Sequence, residues 1–519
     1  VKTTCSYCGV GCGIYLGVRG GLIVGIRGDP DNPVNRGNLC VKGRFGYSYI
    51  NHPERLASPL IKRDGKFIEA TWEEALDLVA SKLANYKGDQ FAGLASAKCT
   101  NEENYLIQKF TRTVMGTNNV DHCARLCHAP SVAGLAQTLG GGAMTNSISD
   151  IGQAACILAI GTNTTSAHPV IGLEVIRAVR NGAKLIVANP KEIDLCRFGN
   201  LWLRHRPGTD VALLMGMMRV IVEDGLLDSA FIERRCENFA AFRESLGSFT
   251  LDFVERITGV PQDKIVEAAR LYATSNPAAI LYAMGITQHS HGTDNVLAIS
   301  NLALLTGNIG KPGSGVNPLR GQNNVQGSCD MGALPNVYSG YQRVDDPEVR
   351  RKFETAWGSS LSSSPGLTLT EILNAAYQRQ IKALYIVGEN PALSEPCARH
   401  AQGALEELEF LVVQDIFLSD TARHAHVVLP AVSFAEKDGT FTNTERRVQR
   451  IRKAIEPVGA SRPDWWITCQ IATRLGGKGF NFSHPAEILE EAAALTPSYR
   501  GISYNRLENG GLQWPCPSG

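Results

Sequence analysis

Four cysteines near the amino terminus constrain this chain more than any other feature. Three lie within a single short loop and the fourth stands well downstream: Cys5, Cys8, Cys12 and Cys40. Thiolates in this arrangement can enclose a cubane iron–sulfur cluster, and the glycines between them let the backbone fold tightly around an inorganic core. Structural zinc is the alternative, but zinc usually takes its ligands as two close pairs. The spacing favours a [4Fe-4S] cluster and therefore electron transfer.

The residues that follow the third cysteine predict a hairpin over the cluster. Ile14 to Arg27 alternate apolar and polar side chains around Gly20 and Gly21. Lys42 stands two residues beyond the fourth cysteine, where its ammonium group can lie against the outer face of the cluster. On spacing alone, an ordinary surface lysine is the simpler interpretation.

Length and composition limit the remaining possibilities. A chain of 519 residues is too long for one core and suggests about three or four domains. The net charge of +1 excludes a general affinity for nucleic acid, so any substrate must be attracted locally. Fourteen cysteines without a repeating framework indicate a reducing compartment, and we predict a cytoplasmic protein.

Neither a membrane anchor nor a leader is evident in the printed sequence. The longest apolar stretch, Val211 to Val222, is interrupted by Gly216 and Arg219 and is too short to cross a bilayer. The chain opens at Val1 without an initiator methionine, which is compatible with the removal of an upstream targeting signal or domain.

Apolar strand-like runs alternate with amphipathic helical runs along the chain, and this pattern predicts an α/β fold with parallel sheets covered by helices on both faces. Apolar residues at helical spacing predict five helices. These are Trp72 to Tyr86, Asn101 to Met115, Val170 to Asn181, Val211 to Asp224 and Asp263 to Thr274.

Two distant segments repeat one design, in which a buried strand runs into a glycine-containing turn and a second strand ends at a polar side chain. The strands are Cys156 to Ile160 with Lys184 to Ala188, and Ala383 to Val387 with Phe410 to Val413. Such strand ends bind nucleotides in doubly wound sheets. For either unit alone, an ordinary strand-to-helix turn is the preferred interpretation. The repetition instead predicts two quasi-equivalent nucleotide sites, which would hold either two cofactors or one cofactor with two nucleotide tails.

The familiar catalytic fingerprints of dinucleotide-binding proteins, phosphate-loop proteins, serine hydrolases and zinc peptidases do not occur in this chain. Instead, Cys127 and His128 stand in a segment rich in thiol, imidazole and guanidinium groups, just before a helix predicted to begin near Ser131. A cysteine at a helix amino terminus is readily deprotonated and can bind a metal. A buried inert thiol is the alternative.

A glycine-rich stretch from Gly307 to Gly327 carries Arg320. An arginine held in such a loop can bind a carboxylate through two parallel hydrogen bonds. An exposed arginine without function is the alternative. His289 and His291 can border a pocket or simply serve as loop and capping residues.

Taken together, these segments resemble the molybdenum or tungsten bis-pterin oxidoreductases, and within them the catalytic subunits of formate dehydrogenases. The resemblance covers nearly the whole chain. It rests on the segments Cys5 to Cys12, Cys40 to Gly43, Cys127 to Ser131, Ala167 to Val170, Arg320 to Gly327, and Glu436 to Phe441 running on to Arg447.

The resemblance implies specific roles. Cys127 is expected to bind the metal, and His128 and Arg320 to form the active-site pair. Lys42 is expected to lie between the cluster and the nearer pterin. The remaining residues expected to hold bis-molybdopterin guanine dinucleotide are Gly161, Asn163, Asn189, Asp210, Gln322, Gly388, Asn390 and Asp415.

The resemblance also implies a domain order. A cluster domain over residues 1–60 receives returning segments at about 435–463 and 486–519. A first αβα domain comprises 61–122, 323–434 and about 464–485, and a second, related to it by pseudo-symmetry, comprises 123–322. Family members usually continue into a barrel-like carboxyl-terminal domain, which we do not expect in a chain that stops at Gly519.

Three functions are compatible with these residues. The first is a formate dehydrogenase that also reduces carbon dioxide and passes electrons to an iron–sulfur subunit of a hetero-oligomer, which leads on to a diaphorase or a hydrogenase. The second is a nitrate-type oxidoreductase of the same superfamily. The third is an electron-relay or scaffold subunit that has lost the pterin cofactor, which the presence of Cys127 and Arg320 disfavours.

Overall fold

The computed structural model describes residues 1–519, and they form two compact units. The first comprises Val1–Tyr7, Gly11–Leu126 and Gln322–Gly519. The second comprises Cys8–Val10 and Cys127–Gly321. The finer division into three domains that the sequence suggested stays a prediction.

The second unit is built on a five-stranded, fully parallel sheet. In spatial order its strands are Leu201–Leu203, Lys184–Ala188, Cys156–Ile160, Ala278–Tyr282 and Gly315–Pro318. Numbered along the chain, this order is 3-2-1-4-5, the arrangement of a doubly wound nucleotide-binding sheet. The order reverses between the strands Cys156–Ile160 and Ala278–Tyr282, and ligands bind beyond the carboxyl ends of strands at such a point.

The first unit contains a seven-stranded sheet with five parallel strands and two antiparallel ones at an edge. In spatial order these are Lys66–Glu69, Leu60–Arg63, Val427–Pro430, Phe410–Asp415, Ala383–Val387, Phe91–Leu94 and Val120–Asp121. Along the chain, the parallel strands follow the order 2-1-3-4-5. The order reverses between Phe91–Leu94 and Ala383–Val387.

These sheets confirm the predicted α/β class and both repeated strand pairs. Three of the four predicted strands have the expected bounds, and the fourth extends two residues further, to Asp415. Because the two sheets differ in strand order, the likeness between them is confined to these adjacent strand pairs and their carboxyl ends.

Helices cover both sheets. In the first unit they are Val41–Phe45, Trp72–Leu83, Asn101–Thr113, Val325–Asp330, Pro347–Trp357, Leu369–Tyr377, Pro391–Ser394, Ala398–Glu406, Asp420–His424, Asp464–Arg474 and Pro485–Leu495. In the second they are Ala129–Leu139, Ile148–Ile151, Thr164–Ala167, Pro169–Arg180, Asp210–Glu223, Ser229–Arg235, Phe239–Ser245, Leu251–Thr258, Gln262–Thr274, Met284–Thr287 and Gly292–Leu305. A short helix, Ala124–Cys127, lies at the boundary in sequence.

The five helices predicted from periodicity are confirmed, with small shifts at their ends. The start of the helix Asn101–Thr113 could be predicted because a capping motif precedes it. Thr100 and Glu103 form a reciprocal capping box, which satisfies two backbone N–H groups at the amino terminus. None of the helices combines the length and the apolar character needed to cross a membrane.

Small antiparallel sheets complete the first unit. One joins Lys2–Thr4, Gly13–Arg19 and Leu22–Gly28, which confirms the predicted hairpin. Another joins Gly439–Thr442, Arg447–Ile451 and Leu512–Gln513, and a two-stranded ribbon joins Val337–Tyr338 and Gln342–Arg343. The Gln449 side chain donates to the Gly11 carbonyl at 2.8 Å, so a late strand supports the cluster loop.

A fully buried ion pair also ties early and late segments of the first unit together. The Arg55 guanidinium lies 2.8 Å from the Glu436 carboxylate, and both side chains are inaccessible to solvent. Arg55 also donates to the Ile50 carbonyl at 2.8 Å. Separation of the two partners would leave an uncompensated buried charge, which is costly. The pair therefore holds the segment around Glu436 against the segment around Arg55.

Arg55→Ala should therefore lower the free energy of unfolding by about 3–5 kcal/mol, measured as a shift of the urea midpoint. The matched control is Arg63→Ala, which breaks the exposed pair with Glu74 and should cost less than about 1 kcal/mol. Equal shifts in the two variants would contradict a structural role for the buried pair.

Candidate active site

Two of the predicted cluster ligands, Cys5 and Cys40, lie beside Gly43. Cys40 caps the helix Val41–Phe45, and its Sγ accepts a hydrogen bond from the Gly43 N–H at 3.4 Å. A Cβ added to Gly43 would lie 3.7 Å from the Cys5 Sγ and 3.8 Å from the Cys40 Sγ. The Cys5 N–H donates to the Cys12 carbonyl at 2.9 Å, which closes the loop. These contacts suit a shared inorganic core better than a set of separate thiols.

Two lysines of the first unit, Lys42 and Lys98, lie close in sequence or in space to the predicted cluster ligands. Lys42 lies exposed on the short helix after Cys40. Lys98, which the sequence analysis did not single out, donates to the Ser6 carbonyl at 3.1 Å and to the Tyr7 carbonyl at 2.8 Å. Its ammonium group is thus fixed against the cluster loop. No local pattern distinguishes Lys98 from other lysines, because its partners lie far away in sequence.

Within the second unit, Gly9 contacts the segment that carries Arg320. The Gly9 N–H donates to the Gly321 carbonyl at 3.1 Å. A Cβ on Gly9 would lie only 2.3 Å from the Arg320 carbonyl oxygen, so no larger residue fits without moving the backbone. The cluster loop and the arginine loop are therefore in direct contact.

Arg320 lies just beyond the carboxyl end of the strand Gly315–Pro318, and its side chain is fully buried. One guanidinium nitrogen, Nη2, donates to the Gly142 carbonyl at 2.8 Å. His168 Nε2 donates to the Arg320 carbonyl at 2.7 Å. The alternative of an exposed arginine is wrong.

His128 is held at both ring nitrogens. Its Nε2 lies 3.2 Å from the Leu319 carbonyl, which can only accept, so Nε2 carries the proton. Its Nδ1 lies 2.9 Å from the Ser131 hydroxyl, which in turn accepts from the Tyr282 hydroxyl at 3.0 Å. Burial, and then the Arg320 charge, hold the pKa of His128 well below its usual range, so the imidazole is neutral.

Cys127 faces the same arginine. Its thiol is buried at the end of the helix Ala124–Cys127, and the following helix begins at Ala129, two residues before the predicted start. Burial raises the pKa of Cys127, whereas the Arg320 charge and the Gly321 N–H lower it. The balance leaves the thiol protonated, so a bound metal would be the group that makes it a thiolate.

Four residues predicted to hold one guanosine group line a single cavity of about 220 Å³ in the second unit: Gly161, Asn163, Asn189 and Asp210. Gly161 has a φ of +57°, and a Cβ there would lie 2.8 Å from Gly285. The cavity also contains His289 and His205, and His205 Nε2 lies 2.9 Å from the Asp210 carboxylate.

A larger cavity of about 450 Å³ lies at the corresponding strand ends of the first unit. Gly388 and Asp415 line it, together with Lys98 and Lys437. The buried Ser433 hydroxyl also lines it and has no hydrogen-bond partner in the protein. A polar ligand would satisfy this hydroxyl. Burial raises the pKa of Asp415 to about 6.

Two of the predicted cofactor residues lie elsewhere in the first unit. Asn390 is not part of the cavity wall, and its side-chain oxygen accepts from the Thr421 N–H at 3.0 Å. It therefore orders the start of the helix Asp420–His424. The Gln322 amide donates to the Cys123 Sγ at 3.4 Å, so Gln322 supports the segment that precedes Cys127.

Comparisons with known proteins match these features. The model of the molybdopterin oxidoreductase family matches residues 55–474, and that of the Fe4S4 domain of molybdopterin oxidoreductases matches residues 1–52. The chain belongs to the molybdopterin oxidoreductase family. This confirms the resemblance inferred from the motifs, and with it the expectation of a [4Fe-4S] cluster and a molybdopterin cofactor.

Individual proteins that are similar to this chain support the same family assignment. The alpha subunit of an F420-dependent formate dehydrogenase from Methanocaldococcus jannaschii is 49% identical over 99% of this chain and 76% of the relative. A putative formate dehydrogenase of Bacillus subtilis is 45% identical over 98% of this chain but 52% of the relative. Acetylene hydratase from Pelobacter acetylenicus shares the fold, with a TM-score of 0.81 at 21% identity, over 99% of this chain and 73% of that chain.

The residues present fit these groups. The Cys5 and Cys40 sulfurs approach one point, the buried Cys127 thiol faces a cation and an N–H group, and each sheet has a cavity beyond its strand ends. Cys5, Cys12 and Cys40 with Cys8 would hold the cluster, Cys127 the metal, and the two cavities the guanosine groups.

The pKa of Asp415 gives a test of the larger cavity. If the carboxylate accepts hydrogen bonds from guanine, lowering the pH from about 7.5 to about 5 should protonate it and weaken GMP binding about tenfold. Calorimetric titration of cofactor-free protein measures this affinity. Asp415→Asn should weaken binding at the higher pH and abolish the pH dependence, whereas Asp420→Asn, at an exposed position, should leave both unchanged. An unaltered pH dependence in Asp415→Asn would exclude the carboxylate from the site.

Proposed function

We propose that this chain is the catalytic subunit of a formate dehydrogenase, which oxidises formate to carbon dioxide at a molybdenum or tungsten bis-pterin centre. The observation that carries the proposal is the fully buried Arg320 beside the Cys127 thiol. The relatives named above support it, since formate dehydrogenase alpha subunits match almost the entire chain.

Arg320 provides the charge that formate requires. A guanidinium does not deprotonate in proteins, so the site keeps its positive charge at any physiological pH. Burial strengthens its interaction with a carboxylate, because the surroundings screen the charge less than water does. The hydrogen bonds to Gly142 and from His168 fix both the side chain and the backbone of Arg320. The substrate would thus be oriented before it reacts.

His128 acts on the position of this arginine. Its Nε2–H bond to the Leu319 carbonyl fixes the backbone one residue before Arg320. Its neutral state keeps a second positive charge out of the pocket. Its Nδ1 accepts a hydrogen bond from the Ser131 hydroxyl, which fixes the orientation of the ring. The hydrogen-bonded series from Tyr282 through Ser131 to His128 keeps the ring in this tautomer.

The overall reaction, formate to carbon dioxide, a proton and two electrons, requires an acceptor that no side chain provides. When bound, the metal–pterin group supplies this two-electron capacity. The residues of the chain bind formate, exclude water and hold the cluster against the arginine loop through Gly9. Lys42, two residues beyond the cluster ligand Cys40, would favour the reduced, more negative cluster.

Electrons leave this subunit one at a time, and their destination is an iron–sulfur partner subunit within a hetero-oligomeric, cytoplasmic complex. With a strong electron donor as the partner, the same site reduces carbon dioxide. The direction of the reaction is therefore set by the potential of the partner.

Arg320→Ala should reduce kcat/KM for formate by about 10²–10³-fold, because the buried charge that binds and orients the carboxylate is lost. Arg320→Lys retains the positive charge but cannot form two parallel hydrogen bonds to the carboxylate, and it should recover part of the activity. Formate-dependent dye reduction measures the rates, with nitrate as the negative substrate, and elemental analysis checks that Mo or W stays bound. Full activity of Arg320→Ala with the metal retained would remove Arg320 from the mechanism. Turnover of nitrate instead of formate by the wild type would overturn the proposal.

A further inference from the structure

Three donor groups of different chemistry meet at one edge of the seven-stranded sheet in the first unit. A ring nitrogen of His122, the Cys123 Sγ and a carboxylate oxygen of Glu389 all lie within 4.8 Å of one another. His122 and Cys123 follow the strand Val120–Asp121, and Glu389 stands two residues beyond the strand Ala383–Val387. We call these three residues the His–Cys–Glu cluster. The proposed reaction uses none of them.

The topology of the sheet explains why these donors meet. The strand Phe91–Leu94 lies between the two strands that the cluster residues follow, and all three are parallel, so their carboxyl ends lie at the same edge. The strand order reverses beside Phe91–Leu94, and doubly wound sheets bind ligands at such a point. Because Glu389 is 266 residues away from Cys123 in the sequence, no ligand spacing in the chain indicates this cluster.

Hydrogen bonds leave the lone pair of the His122 ring on Nδ1. The Ala124 N–H donates to Nδ1 at 3.3 Å, so this nitrogen is unprotonated and Nε2 carries the proton. Nε2 lies 3.6 Å from the Cys329 Sγ, to which it donates. A histidine that binds a metal through one nitrogen usually donates from the other to a neighbouring group. His122 has this arrangement, and a metal would replace only the long contact with Ala124.

The sulfur and the carboxylate are also held in place by hydrogen bonds. The Cys123 N–H donates to the Glu389 Oε1 at 2.8 Å, and the Gln322 amide donates to the Cys123 Sγ at 3.4 Å. A hydrogen bond to sulfur favours the thiolate, which is the form that binds metals. His122 is fully buried, whereas Cys123 is partly accessible, so an ion can enter from the side of the thiol.

Negative charge exceeds positive charge around the cluster. Burial, together with the charges of Asp121 and Glu395, raises the pKa of Glu389 to about 8. Asp121 pairs with Arg125 at 2.8 Å, but neither glutamate forms an ion pair. Two buried oxygens, the Asp121 Oδ1 and the Glu395 Oε1, have no hydrogen-bond partner in the protein. A divalent cation would balance the excess of carboxylates.

A second group of similar donors shows the contrast. Cys99, Glu103 and Asp464 also lie within 4.8 Å of one another. There, the Lys437 ammonium group lies 2.7 Å from both carboxylates. This group therefore already contains its own cation, whereas the His–Cys–Glu cluster does not.

We propose that His122, Cys123 and Glu389 bind one zinc ion through Nδ1, Sγ and a carboxylate oxygen, with water as the fourth ligand. Zinc accepts nitrogen, sulfur and oxygen donors in one tetrahedral site. Ligand atoms around such an ion lie about 3.5 Å apart, so side-chain shifts of about 1 Å would close the cluster. Cys329 and Gln322 would be the outer partners that orient the imidazole and the thiolate.

The ion would act as a brace between two segments of the first unit. It would join the turn after the strand Ala383–Val387 to the residues that follow the strand Val120–Asp121. The inference depends neither on formate as the substrate nor on the pterin metal. It adds a separate metal to those that the proposed function requires.

Zinc analysis and zinc K-edge X-ray absorption of the anaerobically purified holoenzyme test the proposal. After dialysis against a weak chelator and addition of one equivalent of zinc, the wild type should retain about one zinc ion per chain. Its spectrum should show one sulfur ligand at about 2.3 Å with nitrogen or oxygen ligands at about 2.0–2.1 Å. Zinc bound by the four amino-terminal cysteines would instead show a shell of sulfur ligands only.

Variants assign the ligands, with competition against a chelator of known affinity as the measurement. Cys123→Ser should remove the sulfur from the zinc shell, and Glu389→Gln should weaken zinc binding by more than about a hundredfold. Cys329→Ala removes only the partner of the imidazole and should weaken zinc binding about tenfold. The matched control is Cys99→Ser, in the group that Lys437 neutralises, and it should bind zinc as the wild type does.

Three results would overturn the proposal. One is a wild type that retains no zinc after the addition of zinc. Another is a zinc shell of sulfur ligands only. The third is an equal zinc affinity in Glu389→Gln, Cys99→Ser and the wild type. The wild-type spectrum needs no variant, so a variant that fails to fold leaves the test intact. Formate turnover enters none of these measurements, so a failure of the proposed function is distinguishable from a failure of this inference.

Discussion

The fixed backbone of Leu319, Arg320 and Gly321 is the constraint on which the site depends. Each of the three residues is held by a partner from a different part of the second unit. His128 binds the Leu319 carbonyl, His168 the Arg320 carbonyl, and Gly9 the Gly321 carbonyl. The Leu319 N–H also donates to the Tyr282 carbonyl at 2.8 Å, which continues the pattern of the parallel sheet. One short segment thus positions the arginine, contacts the cluster loop through Gly9, and places the Gly321 N–H beside the Cys127 thiol.

The chemistry of the pocket follows from burying a guanidinium there. A buried cation is costly unless it is compensated, and a carboxylate substrate near a thiolate-bound metal centre supplies compensating negative charge. The Arg320 charge lowers the pKa of both neighbours, which keeps His128 neutral and favours the thiolate form of Cys127. In the proposed function, one side chain would therefore attract the substrate, keep the histidine neutral and favour the thiolate that binds the metal.

Much of this could be predicted from the sequence, for identifiable physical reasons. Buried parallel strands are continuous apolar runs, so Cys156–Ile160 and Ala383–Val387 were predicted with their observed bounds. The cavities lie where a strand ends at glycine, as at Gly161 and Gly388. Strand order was not predictable, because it depends on crossover connections that leave no local pattern. Lys98 and Ser433 were missed for a similar reason, since only the folded chain brings them to the cavity. Asn390 has the same local pattern, and its side-chain oxygen accepts from the Thr421 N–H, so its cofactor role stays a prediction.

The central claim is that the Cys127 sulfur binds a heavy metal opposite Arg320. X-ray absorption spectroscopy at the Mo or W edge, on anaerobically purified wild type and Cys127→Ser, tests it most directly. The account predicts Mo or W in the wild type with a shell of sulfur ligands, and one sulfur fewer in Cys127→Ser. A sulfur shell that is identical in the two proteins, or a wild type that contains iron but neither Mo nor W, would contradict it.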